Sequence, residues 1–394
     1  MSSVTLPVEL WLYIFRLSTT SPLTHSLRAT TYGPFETIPL VAQDDPEATK
    51  TKSALVLVCK QWQAWATDLL YEDLWMGRRE KLKGLLDGVE GKGDQERSCG
   101  RWVRRANLPY NSSMTISPRP LEANKILEQC PRLEVLVRVG PFRPDVDLRF
   151  EFPTDCPPMP SLKRLDWWHI GEAARTGGIN CLGDVLQAAP NLQYLSLGGY
   201  VKFSHIAQSP IALSSLTTLR ILRLNVLFVR QTCSWSMPAL QHLIIDNVED
   251  IGMLECFWER FGEQIRTVEL GHSLCYYVYD SLSFILQGCP NLRELNYYVH
   301  FTALPPEFRE GVTFASLDTV RLHAHPNLLL PPESEEYWKR IEDHFALLNR
   351  PCFAALKNVV LHGDWDGVMK DSRYPLLAQP LLDRKCIIER AADY

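Results

Sequence analysis

Pro190-Asn191-Leu192-Gln193-Tyr194-Leu195-Ser196-Leu197 is a run whose internal spacing decides the fold. Leu195 and Leu197 are two apart, so both point to one face of a short strand, and Leu192 anchors the turn leading in. This L-x-x-L-x-L unit, with Ile, Val, Trp or Tyr replacing some leucines, returns along the chain. It reads at Leu133 and Leu136, at Leu162, Leu165 and Trp167, at Leu219, Leu222 and Leu224, and at Leu240, Leu243 and Ile245. Further copies stand at Ile265, Val268 and Leu270, at Leu292, Leu295 and Tyr297, at Leu317, Val320 and Leu322, and at Leu356, Val359 and Leu361. Successive copies lie 21 to 30 residues apart, with one gap of 39 between Leu317 and Leu356. A single unit cannot bury its apolar face, whereas stacked neighbours build a continuous core.

Helical segments separate several of these strands. Ile126 to Pro131, Val185 to Pro190 and Ile285 to Pro290 are one motif written three times. Leu282, Ile285, Leu286 and Cys289 fall at i, i+3, i+4 and i+7, one face of a helix, and the following proline blocks its continuation. Cys130, Ala189 and Cys289 share a slot, so these thiols read as small core fillers, not as ligands or nucleophiles. The long gap contains Glu333 to Leu348, where an acidic start precedes a stripe of Trp338, Ile341, Phe345 and Leu348. That pattern predicts a long helix inserted late in the array. The nine units together resemble the leucine-rich repeat. The resemblance implies an irregular α/β solenoid over residues 120–374, a curved parallel sheet with helices on its outer face. Residues 375–394 are expected to form a C-terminal cap or tail.

Ahead of the repeats stand two apolar strings. Leu6-Pro7-Val8-Glu9-Leu10 runs on through Ile14-Phe15, and Leu57-Val58-Cys59-Lys60-Gln61-Trp62 runs on through Ala66 to Leu69-Leu70-Tyr71 and Leu74. Leu6, Leu10 and Ile14 recur at helical spacing, and Pro7 suits a first helical turn. These strings resemble an F-box, the short helical module that docks an adaptor onto a cullin-type ubiquitin ligase. The resemblance implies that Leu6, Pro7, Leu10, Ile14, Phe15, Val58, Cys59 and Trp62 sit in or behind a face that meets a Skp1-like protein. Where the family has a short linker, Ser18 to Ser53 intervenes here, rich in Thr, Ser and Pro. The expected organisation is an F-box-like module at 1–76 with its insertion at about 18–53, a connector at 77–119, and then the repeats.

Composition narrows the partners. The net charge is -5 at pH 7, which argues against a general affinity for nucleic acid or anionic membranes. No apolar run reaches the roughly 18 residues that a spanning helix needs. Eleven cysteines scatter without C-x-x-C spacing, as expected of a reduced chain in the cytoplasm or nucleus.

No phosphate loop and no nucleophile elbow is present. His323-Ala324-His325 and His362-Gly363-Asp364 follow successive strands and carry ligand types suited to zinc, giving a metal-dependent hydrolase as the least favoured alternative. Neither a catalytic residue nor a cofactor is assigned. Residues alternating with the core leucines would line an open concave surface. The expected target contacts are Arg164, Asp166, Trp168, Tyr194, Arg223, Glu269, Tyr298 and Arg321, because Arg, Tyr and Trp anchor protein interfaces. The expected function is a substrate-recognition adaptor that makes and breaks no covalent bond. It would hold a Skp1-like protein, and through it a cullin ligase, together with an unidentified target. A plain protein-interaction scaffold is the alternative.

Overall fold

The computed structural model describes residues 6–19, 30–36, 46–75, 99–107, 121–138, 150–151, 156–170, 182–200, 211–248, 251–306, 308–309, 311–332 and 334–391. Three helices open the chain: α1 (Val8–Thr19), α2 (Pro46–Val58) and α3 (Lys60–Tyr71). The strands are β1 (Asp73–Trp75), β2 (Arg105–Asn107), β3 (Leu121–Glu122), β4 (Val135–Arg138), β5 (Phe150–Glu151), β6 (Arg164–Ile170) and β7 (Tyr194–Tyr200). They continue as β8 (Thr218–Arg223), β9 (His242–Ile245), β10 (Thr267–Leu270), β11 (Glu294–Tyr298), β12 (Thr319–Ala324), β13 (Asn358–Gly363) and β14 (Ile387–Arg390). Twelve of them form a sheet whose order is chain order, while β3 and β5 pair apart from it. Every strand pairing given by residue register is parallel. Contacts divide the chain into two compact units, 1–195 with 205–213 and 196–204 with 214–394.

In the first unit the register runs Leu74, Ala106, Leu136, Leu165 across β1, β2, β4 and β6. In the second it runs Leu219, Leu243, Val268, Leu295, Val320, Val359, Ile388 from β8 to β14. All but the end members Leu74 and Ile388 are buried. The next inward position holds Ile221, Ile245, Leu270, Tyr297, Leu322 and Leu361, again buried. These two columns are the second and third apolar residues of the sequence unit, and the strand's period of two puts both on one face.

The unit's first residue is buried throughout, and its turn has a common form. Leu133, Leu162, Leu192, Leu240, Leu292, Leu317 and Leu356 each donate their backbone N–H to the carbonyl three residues earlier. Polar turn residues tie one repeat to the last: Ser161 donates to the Pro131 carbonyl, Asn191 to Pro160 and Asn291 to Glu263. Cys130, Ala189 and Cys289 are buried in their shared slot, and burial pushes both thiols up to about 12. The helices Glu255–Phe261 and Leu282–Gly288 approach closely where glycine permits it. A Cβ on Gly262 would stand 1.9 Å from the Gly288 carbonyl oxygen.

Two departures from the sequence reading have clear causes. The unit placed at Leu219, Leu222 and Leu224 is shifted by three residues: Leu216, Leu219 and Ile221 take the buried positions, and Leu222 is only half-buried. Both spacings fit the run of leucines, so burial alone separates them. The string from Val58 to Leu70 is broken at Cys59, whose extended backbone ends α2 and caps α3, the thiol accepting from the Trp62 N–H. The region after 374 holds the helix Tyr374–Asp383 and then β14, which pairs with β13 and extends the sheet.

The late helix forms as expected, as Glu335–Leu348. Ser334 caps it by accepting from the Tyr337 N–H, and Trp338, Ile341, Phe345 and Leu348 are buried. No described helix is long and apolar enough to cross a membrane.

Candidate functional site

The first unit carries an apolar face on α1. At 100° per residue, Leu6, Leu10, Tyr13, Ile14 and Leu17 gather on one side of the helix axis, and Trp11 and Phe15 lie on the other. The structure uses the two sides differently. Phe15 is 1% exposed and forms a core with Ala66 and Leu69 of α3. Its ring stands 4.8 Å from that of Trp62, and Trp11 stands 5.0 Å from Trp62. The opposite side is bare: Leu10 is 47% exposed and Tyr13 and Leu17 are each 61% exposed. Leu6 and Ile14 are exposed beside them, as are Leu57, Val58 and Cys59 at the α2–α3 junction. Pro7 starts the helix, its carbonyl accepting from the Leu10 and Trp11 N–H groups. Of the eight expected docking residues, six are therefore exposed, while Phe15 and Trp62 hold the helices together from behind.

A buried lysine fixes these helices to the sheet. Lys52 of α2 donates to Asp73 at 2.8 Å and to Glu72 at 3.3 Å, at the start of β1. Of the insertion, residues 20–29 and 37–45 lie outside the described residues. Its described middle, 30–36, delivers Glu36 to the face of β6. There Arg164, fully buried, donates to Glu36 at 2.6 Å and to Asp166 at 2.8 Å, and its guanidinium lies 4.2 Å from the Tyr194 ring centroid. Arg164, Asp166 and Tyr194 were expected as open contact residues, and this is corrected: all three are buried, because the Arg164 charge is satisfied inside the chain. Trp168 is half-buried.

The sheet face of the second unit is likewise closed over its middle strands. Arg220 makes a bidentate pair with Asp246, at 2.5 and 2.8 Å. Thr218, Thr267, Glu269 and Asn296 are buried, so Glu269 is not an open contact residue either. Arg223 falls at the exposed end of β8, and with the corrected register Arg220 takes the slot beside Ile244. Arg321 and Tyr298 remain half-buried, with Arg321 donating to Glu294 at 3.1 Å. The unit read at Leu219, Leu222 and Leu224 misses Arg220, which the unit on Leu216, Leu219 and Ile221 places.

Beyond these pairs four imidazoles collect. His323 lies tilted against Tyr298 with centroids 4.7 Å apart and stacks with His362 at 6.5 Å. His272 lies 4.9 Å from His325 and 5.8 Å from Phe301. Burial, then neighbouring imidazoles, lower the His323 pKa to about 4, and burial followed by Arg321 does the same for His362. The sequence had placed His323, His325 and His362 together; His272 is an addition from β10's end. Apart from the stacked His323 and His362 rings, the rings of this cluster meet tilted or edge-on. Asp364 is turned to accept from the Asp366 N–H. Among the described residues no group of three or more His, Cys, Asp or Glu side chains is placed to hold a metal ion.

Comparison with known proteins adds little. No known protein family matches the chain, and no curated protein matches it. A crystal structure of a Bacteroides fragilis protein is similar at 12% identity and a TM-score of 0.40, covering 89% of this chain and 85% of that one.

Proposed function

We propose that this chain is a substrate-recognition adaptor of a ubiquitin ligase of the Skp1–cullin type. In this reading α1 to α3 act as an F-box and the later strands and helices as irregular leucine-rich repeats. The bare side of α1 supports it most. Leu6, Leu10, Tyr13, Ile14 and Leu17 share one helix side and face solvent, and a large contiguous apolar patch on a soluble chain marks a binding surface. The other side of the same helix is packed on Trp62 and Ala66, so the helix is held in place for a partner. The repeats would bring a target protein, and the two binding faces on one chain raise the local concentration of target at the ligase. Contact residues for the target are sought among the less buried positions Trp168, Tyr298, Arg321 and Arg223.

The test is co-purification with a Skp1-type protein. The intact chain should form a stoichiometric complex, and a Leu10→Asp, Ile14→Asp variant with unchanged circular dichroism should form none. If the intact chain forms no complex, the adaptor reading fails and a scaffold without a ligase takes its place.

A further inference from the structure

Cys233 ends the helix Val226–Cys233, and Cys256 opens the helix Glu255–Phe261, both in the second unit. Their sulfurs stand 3.1 Å apart. All ten described cysteines carry free thiols. Cys256 also lines a cleft of about 330 Å³ with Val226, Arg230, Met253, Glu255 and Glu259. Cys233 and Cys256 are both half-buried, but of the two only Cys256 lines this opening, which a small molecule can enter.

We propose that Cys233 and Cys256 form a reversible disulfide in response to a peroxide, with Cys256 the sulfur that meets the oxidant and Cys233 the sulfur that resolves it. The sulfurs close from 3.1 Å to roughly 2.05 Å, a movement of about one ångström shared between two side chains. The Cys256 thiolate attacks one oxygen of hydrogen peroxide, the O–O bond breaks, and the departing hydroxide takes a proton to become water. Cys256 is left as a sulfenic acid. The Cys233 sulfur then attacks that of Cys256, and the displaced hydroxide leaves as water with the Cys233 proton. Two thiols and one peroxide give one disulfide and two waters; the two electrons lost by sulfur reduce the peroxide. A dithiol reductant reverses the change by exchange. The roles follow from the geometry, since Cys256 is the one that lines the cleft. Burial, then the hydrogen bond to Cys256 and its charge, raise the Cys233 pKa.

The sequence makes the experiment direct. No Lys or Arg occurs from Gln231 to Glu259, so trypsin releases both cysteines on one peptide ending at Arg260. The intact chain is treated with hydrogen peroxide, alkylated under denaturing conditions and digested. The expected peptide is two hydrogen masses lighter than its reduced form and takes no alkyl group until a reductant is added. Cleavage before Asp246 and Asp250 should leave the two cysteine-bearing fragments joined. Cys233→Ser should leave Cys256 as a sulfenic acid that a 1,3-diketone reagent traps, and Cys256→Ser should leave Cys233 reduced. Exposed Cys59 reports that oxidant was delivered. A peptide that takes two alkyl groups while Cys59 is oxidised overturns the proposal, and so does a disulfide joining Cys256 to any other cysteine.

Discussion

Glu36 and Arg164 are 128 residues apart in sequence and 2.6 Å apart in the fold, and both side chains are almost wholly withdrawn from solvent. The pair ties the insertion between α1 and α2 to the face of β6. A buried pair of this kind contributes little net stability compared with an apolar replacement, but removing one partner strands the other charge.

Glu36→Ala should therefore destabilise the first unit by about 3 kcal/mol, the low end of the range for a broken buried pair. Arg164→Met, with Glu36→Leu and Asp166→Leu added so that no buried charge of the cluster is stranded, should recover much of that loss. Urea unfolding of these variants checks it. If Glu36→Ala melts like the parent, the insertion is not fastened at this point.

The two sides of α1 should respond oppositely to substitution. Leu10→Asp and Ile14→Asp change exposed positions and should alter stability by only about 0.5 kcal/mol. Phe15→Ala empties a buried ring site against Trp62 and should cost about 3 kcal/mol or more. Thermal melts of each variant, run beside Skp1 co-purification, separate a docking face from a folding core. Loss of the complex in folded Leu10→Asp, with the parent binding, is the outcome that fits the adaptor reading.

Acid should weaken the second unit earlier than carboxylate protonation alone would. Burial is the largest cause lowering the pKa of His300, His323 and His362 to about 4 and of His344 to about 3, against an ordinary value of 6.5. Between pH 6.5 and about 4 the unfolded chain binds these protons and the folded chain does not, so stability must fall as pH falls through that window. Above 6.5 the contribution is complete, and below about 3 it is gone. Arg340 adds to the effect at His300 and His344, and His272, His325 and His362 add to it at His323. Urea midpoints measured at several pH values should decline steadily from neutral to pH 5. His344→Gln, at the fully buried position, should lessen that slope by about one proton. A flat profile above pH 5 would show that these imidazoles titrate normally.

How much of this was legible depended on what each residue has to meet. Nine strands announced themselves because each carries its own apolar spacing, and the helix at Glu335–Leu348 did so through its stripe. β2 did not, since Ala106 stands where the other units have a leucine or valine, and β14 did not, since its residues are half-buried or exposed at the sheet's end. The polar sheet face was misread for a different reason. Alternation says which way Arg164 or Arg220 points, but not whether a carboxylate awaits it. Glu36 comes from a segment with no periodicity at all, and Asp246 is one repeat further along. The expected docking residues were half legible: helical spacing separates Leu10 from Phe15 around the α1 axis, but only packing against Trp62 shows which of the two sides is covered.

The corrected register of β8 gives the last prediction. Leu216, Leu219 and Leu222 are spaced alike, so the sequence offers two interleaved units, one using Leu216 with Leu219 and the other Leu219 with Leu222. In the fold Leu219 pairs with Leu243 and Ile221 with Ile245. Leu216 is fully buried and Leu222 is not. Leu216→Ala should then cost about 2 to 5 kcal/mol, as expected for a leucine that leaves a cavity. Leu222→Ala should cost clearly less, because part of its side chain already meets water and a smaller apolar area returns to solvent. Denaturant midpoints for the two variants decide between the registers. The reverse order would move the polar slot from Arg220 to Arg223 and undo the pairing with Asp246.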